Sequence, residues 1–421
     1  MAAPARARLV RRRLPIRDPR RLLAVLGPDP AVAGQSLVAL ALNSATSLAA
    51  GAVLGSITDT FERLPGLLVL VPAAIGLRGN VFSALGSRLS TAIHTGTFRM
   101  TLRPGSVLGD NVAASLVLTV GLSLAIAAVA KGAALAFGVP DTISFVDLAT
   151  ISIVGGLLAS AAVLAATVLL AGGAVRYGWD LDNLVAPIVS MLGDVLTLPA
   201  LFAATYLVGR GAVSAGVGWV LLAAGVACIV YGFSSRRRQL RRIARESWPI
   251  LLIAVVLSTM AGLVIEKQLG TFATFPALLV LYPAFVSSAG ALGGILTSRV
   301  STQLHLGILE PVSVPSARAR QEAATLGVLA VPVYVLNALG AHVVAGLLGQ
   351  SSPGVGTMVL VALLGGIGAV AFVVLVAYYG SVAAVRLHVD PDTYGIPIVT
   401  SSVDFVGTLA LILAIVAMGI T

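Results

Sequence analysis

The sequence predicts an all-α polytopic membrane protein made of two parallel five-helix repeats joined by one extra helix, about eleven transmembrane helices in all. Three observations predict it. The 421-residue chain is 58% hydrophobic and 10% charged, with a mean hydropathy of +1.01, which leaves too little polar surface to cover a soluble protein of this length. Its apolar runs are long enough for helices that cross about 30 Å of hydrocarbon, roughly 20 residues each, whereas barrel strands would be short and alternate. One pattern also occurs twice, 211 residues apart: Pro65, Pro72, Gly79, Ser87-Arg88-Leu89-Ser90-Thr91, His94 and Gly96 recur as Pro276, Pro283, Gly290, Ser298-Arg299-Val300-Ser301-Thr302, His305 and Gly307.

Residues 1–33 form a basic arm with eight arginines between Arg6 and Arg21. No small-residue cleavage site closes a short apolar region after them, so the arm reads as cytoplasmic and disordered rather than as a signal peptide. The first repeat, 34–210, holds apolar runs at 36–56, 66–89, 112–137, 146–174 and 185–208. A linker, 211–246, holds an unpaired run at 214–233 and a basic loop with six arginines between Arg236 and Arg245. The second repeat, 247–421, holds runs at 249–269, 276–299, 323–348, 357–380 and 396–420.

Five spans fused directly to their copy would invert the copy, and the extra crossing restores its orientation. The repeats are therefore expected to be parallel, with a pseudo-two-fold axis along the membrane normal, as in a homodimer joined into one chain. A cytoplasmic N-terminus puts Arg99, Arg103, Arg176, the Arg236 to Arg245 block, Arg318, Arg320 and Arg386 inside. Only Arg63, Arg210 and Lys267, with Lys131 near an outer helix end, fall on the other side, as the positive-inside rule requires. The expected location is the cell membrane, multi-pass, with an extracytoplasmic C-terminus. The 97–111 and 306–322 connections are too short for a soluble domain.

The formal net charge of +10 does not indicate a nucleic-acid partner. Its two arginine blocks flank apolar spans, where they set topology and meet anionic lipid headgroups. The single cysteine, Cys228, excludes a disulfide framework and a thiolate metal cluster.

Of seventeen acidic residues, fifteen fall in loops or near span ends. Asp194 and Asp404 lie about ten residues into their spans, near the midplane at about 1.5 Å per residue. They close a second recurring string, Asp180, Asp182, Pro187-Ile188-Val189-Ser190 and Asp194, which returns 210 residues on as Asp390, Asp392, Pro397-Ile398-Val399-Thr400 and Asp404. A carboxylate at that depth costs about 2.5–3.5 kcal/mol on the insertion scale. A protonated aspartate bonded to a neighbouring helix would explain one of them, but it does not require the cost twice. One buried acid per repeat suggests a cation site shared between the halves.

Helical spacing puts Ser190 and Thr197 on the face of Asp194, and Thr400, Ser401 and Thr408 on that of Asp404. Pro187 and Pro397 suit a first helical turn. Asp180, Asp182, Asp390 and Asp392 read equally as acidic loop residues or as a cation-attracting mouth. In the second span, Asn80, Ser83, Ser87, Ser90, Thr91 and His94 draw one hydrophilic face. Ser287, Gly290, Gly294, Ser298, Ser301 and His305 do much the same in the copy. Singly, small and hydroxyl residues in membrane helices are helix-packing contacts; together they read as pore walls opposite the aspartates. Arg88 and Arg299 are expected to snorkel or to cap loop carbonyls. His94 and His305 read as interfacial, since no second His or Cys lies at ligand spacing.

At these residues the chain resembles the MgtE-like magnesium transporters, and in particular solute carrier family 41, whose members carry two such five-helix domains. The matching strings are Pro72-Ala-Ala-Ile-Gly-Leu-Arg-Gly-Asn80, the two Ser-Arg-x-Ser-Thr strings, and the two Pro-Ile-Val-Ser/Thr-x-x-x-Asp strings, and the similarity covers nearly everything from about residue 34 onward. The resemblance implies a central pore between the halves, with Asp194 and Asp404 holding hydrated Mg²⁺ alongside Asn80, Ser190 and Thr400. The hydroxyls of Ser87, Ser90, Ser298 and Ser301 would extend that lining. No cofactor is implied beyond Mg²⁺ as the bound and transported ion. Where the family repeats Gly-Asn, this chain has Gly290-Ala291, so its second half lacks the amide. Phe82 stands where the family often has an acid, and Arg78 adds a positive charge to the same helix. The regulatory domains that precede the membrane part in MgtE are not present in this sequence, so regulation is expected from the membrane domain, the basic arm or a partner.

Mg²⁺ dehydrates reluctantly and keeps several waters, so two aspartates ringed by hydroxyls and carbonyls suit it. One polypeptide would suffice as an internal pseudo-dimer. Three alternatives stand beside a passive divalent-cation pathway: a Na⁺- or H⁺-coupled Mg²⁺ exporter, an intramembrane aspartyl-type enzyme using the two acids as a dyad, and a non-conducting scaffold, which gains nothing from two intramembrane charges.

Overall fold

The computed structural model describes residues 30–177, 181–209, 211–386 and 396–420. Within them lie eleven helices long and apolar enough to cross a membrane. The first repeat comprises α1 (Pro30–Ser56), the six-residue α2 (Thr58–Arg63), α3 (Leu67–His94), α4 (Val107–Ala136), α5 (Phe145–Tyr177) and α6 (Leu181–Thr205). The linker helix is α7 (Ala212–Ser234). The second repeat repeats the order with α8 (Arg238–Glu266), the six-residue α9 (Leu269–Thr274), α10 (Pro276–His305), α11 (Ala317–Leu347), α12 (Val355–Arg386) and α13 (Ile396–Ala417).

Each predicted span is one helix, but several helices outrun their apolar runs. Helix α8 begins at Arg238, so much of the expected basic loop is helical, and α3, α10 and α12 continue through Arg88, Arg299 and Arg386. Hydropathy drops at each arginine, yet these arginines find partners in the protein. Arg386, for example, donates from Nε and Nη2 to the Pro311 carbonyl at 3.1 and 2.7 Å. Helix α6 begins six residues before Pro187, which therefore does not sit in the first turn, whereas Pro397 follows the first residue of α13. The basic arm up to residue 29, Asp180, Asp390 and Asp392 lie outside the described residues, as does the side chain of Asp182.

The repeats exchange their first helices: α1 packs on α10 and α11 of the second repeat, and α8 packs on α3 and α4 of the first. The crossings are reciprocal. A β-carbon on Gly51 would come within 2.1 Å of the Val280 carbonyl oxygen, and one on Gly262 within 2.3 Å of that of Val69. Both the glycines and the valines are one repeat length apart. Only glycine lets the backbones approach this closely, the usual device where lipid supplies no hydrophobic drive between helices. Local signals are duplicated too, with Ser106 Oγ accepting from Gly109 N at the start of α4 and Ser316 Oγ from Ala319 N at the start of α11.

The end of the bundle opposite the arginine block is tightly packed. Residues 67–71 of α3 and 277–281 of α10 are each at most 3% exposed. There Glu266, the last residue of α8, accepts from Gly66 N at 2.7 Å, placing a carboxylate at the positive end of α3. The linker α7 lies against α4 and α5, with Gly218 against Val146 and Gly225 against Leu124.

Candidate cation site

A cavity of about 1230 Å³ runs from the middle of the bundle to its arginine-rich end. Its wall is built from α3 and α10, with α6 and α13 supplying Asp194 and Asp404 and α8 closing one side. Both aspartates line this single cavity. They occupy its blind end, because the next turns of α3 and α10 are the packed segments 67–71 and 277–281.

Each aspartate is held by a serine from the first helix of its own repeat. Ser47 Oγ donates to Asp194 Oδ2 at 3.2 Å, and Ser258 Oγ donates to Asp404 Oδ2 at 3.1 Å. Ser47 and Ser258 are 211 residues apart and almost fully buried, at 0% and 2% exposed. Such bonds to a carboxylate fix its rotamer and offset part of its desolvation. The surroundings then diverge. Ser287 of α10 lies 3.3 Å from Asp194 Oδ2 and 3.1 Å from Asn43 Oδ1, and its one hydrogen serves either acceptor. The residue equivalent to Ser287 is Gly76, where a β-carbon would sit 3.7 Å from Asp404 Oδ2.

Of the expected ligands, Asp194, Asp404, Asn80, Ser190, Thr400 and Ser87 all line the cavity, joined by Ser83, Thr91 and Ser401. Ser90, Ser298 and Ser301 do not, and these three expectations are corrected. Ser87 and Thr91, four residues apart, take the cavity face of α3 and leave Ser90 on a packed flank, 1% exposed. In the copy, Arg299 pairs with Glu322 at 3.3 Å and donates to Ser36 Oγ at 3.4 Å, tying α10 to α11 and α1. The cavity stops short of that region, so Ser298 faces outward and Ser301 is buried outside it. Thr197 and Thr408 do not line the cavity; each hydroxyl donates back to the carbonyl four residues earlier, that of Gly193 at 2.6 Å and that of Asp404 at 2.5 Å.

Arg88 and Arg299 neither snorkel nor cap loop carbonyls. Arg88 Nε donates to Asn111 Oδ1 at 2.7 Å, the place equivalent to the Arg299–Glu322 pair. Arg78 is 1% exposed and turns away from the cavity into a slot beside Ser123 and Gly156, where it donates to the Ala74 carbonyl. In the second repeat the Tyr334 ring fills the corresponding slot against Gly366. His94 closes the last turn of α3.

Ser287, read from the sequence as part of the hydrophilic face of α10, lines the cavity, whereas Ser47, Ser258 and Asn43 are site residues that the sequence reading missed. The signal for two of them was present: Ser47-x-x-x-Gly51 recurs as Ser258-x-x-x-Gly262 at the repeat offset. Among the described residues no group of three or more His, Cys, Asp or Glu is placed to hold a metal ion. What the blind end offers is two carboxylates with neutral amide and hydroxyl oxygens, a hard-donor set suited to a cation that retains part of its water.

The profile of a family described as "MgtE: Divalent cation transporter" matches residues 71–204 and 282–414, one segment in each repeat. Solute carrier family 41 member 3 of Rattus norvegicus is 26% identical over 406 residues, covering 90% of this chain and 86% of the relative. The Mus musculus protein of the same name is 28% identical over 378 residues, covering 84% and 75%. Solute carrier family 41 member 2 of Homo sapiens is 25% identical over 411 residues, covering 90% and 69%. No solved structure matches the chain.

Proposed function

Since this chain belongs to the MgtE family of divalent cation transporters, we propose that it carries Mg²⁺ through a central passage between its halves, 34–210 and 247–421, with Asp194 and Asp404 as the binding carboxylates. Family membership also removes the aspartyl-enzyme alternative, because the chain is a transporter. One observation carries the site assignment: the two aspartates, one per repeat, meet at the closed end of one cavity, each held by the equivalent serine.

Two carboxylates facing each other repel unless a divalent cation lies between them. At an effective dielectric constant of about 20, opposite unit charges 4 Å apart attract by about 4 kcal/mol, and a doubly charged ion at that distance gains about twice this from each acid. Asn80, Ser190 and Thr400 would contact the ion through its water, since Mg²⁺ releases its hydration shell reluctantly. The same chemistry keeps the site sparse enough to release the ion. The arginine-rich end is the cytoplasmic one by the positive-inside rule, which makes the cavity a cytoplasmic vestibule and the packed end an outer closure. The arginine block of α8 would meet anionic headgroups, in a multi-pass protein of the cell membrane in which one chain forms the whole passage.

Reconstitution into proteoliposomes with an entrapped Mg²⁺-sensitive dye tests this. Asp194→Asn and Asp404→Asn should each reduce flux at least 100-fold, equivalent to about 2.7 kcal/mol, while helicity and monodispersity persist. Wild-type flux in both variants would refute the assignment. Imposed Na⁺ or pH gradients in the same vesicles separate a passive pathway from a coupled exporter.

A further inference from the structure

Arg88 and Arg299 occupy equivalent places in the two repeats, yet among the described residues only Arg299 forms a direct ion pair. Arg299 forms an ion pair with Glu322 and lies off the cavity wall. The residue equivalent to Glu322 is Asn111, so Arg88 Nε donates to an amide that carries no charge. Arg88 lines the cavity, and its Nη2 is buried with no hydrogen-bond partner among the described residues.

The neighbouring acids are engaged elsewhere. Glu246 acts on Arg88 only at a distance, while its Oε1 is held by Arg242 Nε at 2.8 Å. Asp110, beside Asn111, lies 3.7 Å from Arg237 and accepts from Gly105 N at 3.0 Å. Among the described residues, the neck of the vestibule presents the guanidiniums of Arg88 and Arg242 and one carboxylate, Glu246, with the amides of Asn111 and Gln239 on the same wall. A passage for cations gains nothing from surplus positive charge at its entrance. A partly buried guanidinium with an unused fork is instead matched to an oxyanion.

We infer that the neck of the vestibule is a binding site for a phosphate-class oxyanion, gripped by Arg88 and Arg242. The first repeat leaves open, through Asn111, the place that Glu322 fills in the second, and the anion supplies the missing negative charge. Its source is either soluble phosphate, free or on a nucleotide, or the phosphate of a lipid headgroup. The binding itself does not depend on which cation is carried.

The test uses the purified full chain in a neutral detergent with EDTA present, following thermal unfolding in two arms. One titrates inorganic phosphate against sodium chloride at matched ionic strength, and the other titrates phosphatidylglycerol against phosphatidylcholine in mixed micelles. The wild type should show a saturable, anion-specific rise in unfolding temperature in at least one arm, because a ligand of the native state stabilises by mass action. The responding arm names the source. Asn111→Glu rebuilds the ion pair that the second repeat already holds, so it should fold and lose the response. Arg88→Lys keeps the charge without the fork and should shift the midpoint concentration about tenfold upward, equivalent to about 1.4 kcal/mol. Flat titrations in both arms for the wild type, or an undiminished response in Asn111→Glu, would overturn the site.

Discussion

The two repeats share a backbone and differ in what surrounds their acids. Each half keeps an aspartate, a serine that holds it, and a glycine four residues after that serine, where the exchanged helix crosses. Around this shared core, Ser287 faces Gly76, Ala291 stands in place of Asn80, and the Arg299–Glu322 pair answers Arg88–Asn111. What duplication has preserved is the apparatus that brings two carboxylates to one point. What has diverged is the wall, and the cavity runs along Arg88 and Asn111 of the first repeat but not along Arg299 and Glu322 of the second.

Disturbing the shared core should have the largest effect, and an equal one in both halves. Gly51→Ala and Gly262→Ala each drive a β-carbon into a backbone carbonyl that cannot give way. Both should cost at least the upper part of the usual overpacking range of about 1–3 kcal/mol, read as a loss of monodisperse protein and a lower unfolding temperature. Gly132→Ala, where nothing lies within 4 Å, should leave both readouts unchanged. If only one of the two crossing glycines proves sensitive, the reciprocal exchange is wrong.

Next in size come the serines. A hydrogen bond to a charged group contributes about 1.5–3 kcal/mol, so Ser258→Ala should weaken Mg²⁺ affinity about tenfold or more. Ser47→Ala should weaken it less, because Asp194 retains Ser287 within reach. Isothermal titration on the two variants decides this, and the reverse order would place the asymmetry in the wrong half.

The smallest effect tests the divergent wall alone. Gly76→Ser restores for Asp404 the hydroxyl that Ser287 offers Asp194, and its β-carbon fits at 3.7 Å from the carboxylate. Affinity should change less than tenfold, and the Ser258→Ala loss should shrink in the double variant. If that double variant is as weak as Ser258→Ala alone, the two halves do not correspond at this position.

Much of this architecture was readable in the chain. The 211-residue offset and the apolar runs located all eleven spanning helices, and the two acids that stand out by mid-span depth, Asp194 and Asp404, both line the cavity. The helix ends were not readable, because hydropathy treats an arginine as a boundary while the fold supplies partners for Arg88, Arg299 and Arg386 inside helices. The exchange of first helices was likewise hidden, since a repeat carries no record of which copy its helix packs on. Ser298 and Ser301 were misplaced for a related reason. Sequence symmetry gave both repeats the same hydrophilic stripe, but the cavity follows that of α3 past Thr91 and that of α10 only as far as Ala291.

Counting bound ions reaches the central claim most directly. Equilibrium titration of the purified chain with Mn²⁺, followed by electron paramagnetic resonance of the free ion, should find one divalent ion per chain in competition with Mg²⁺ at the aspartate pair. That ion should be lost in Asp194→Asn and equally in Asp404→Asn. A full Mg²⁺-competed ion remaining in either single variant would mean that the two carboxylates do not share one cation.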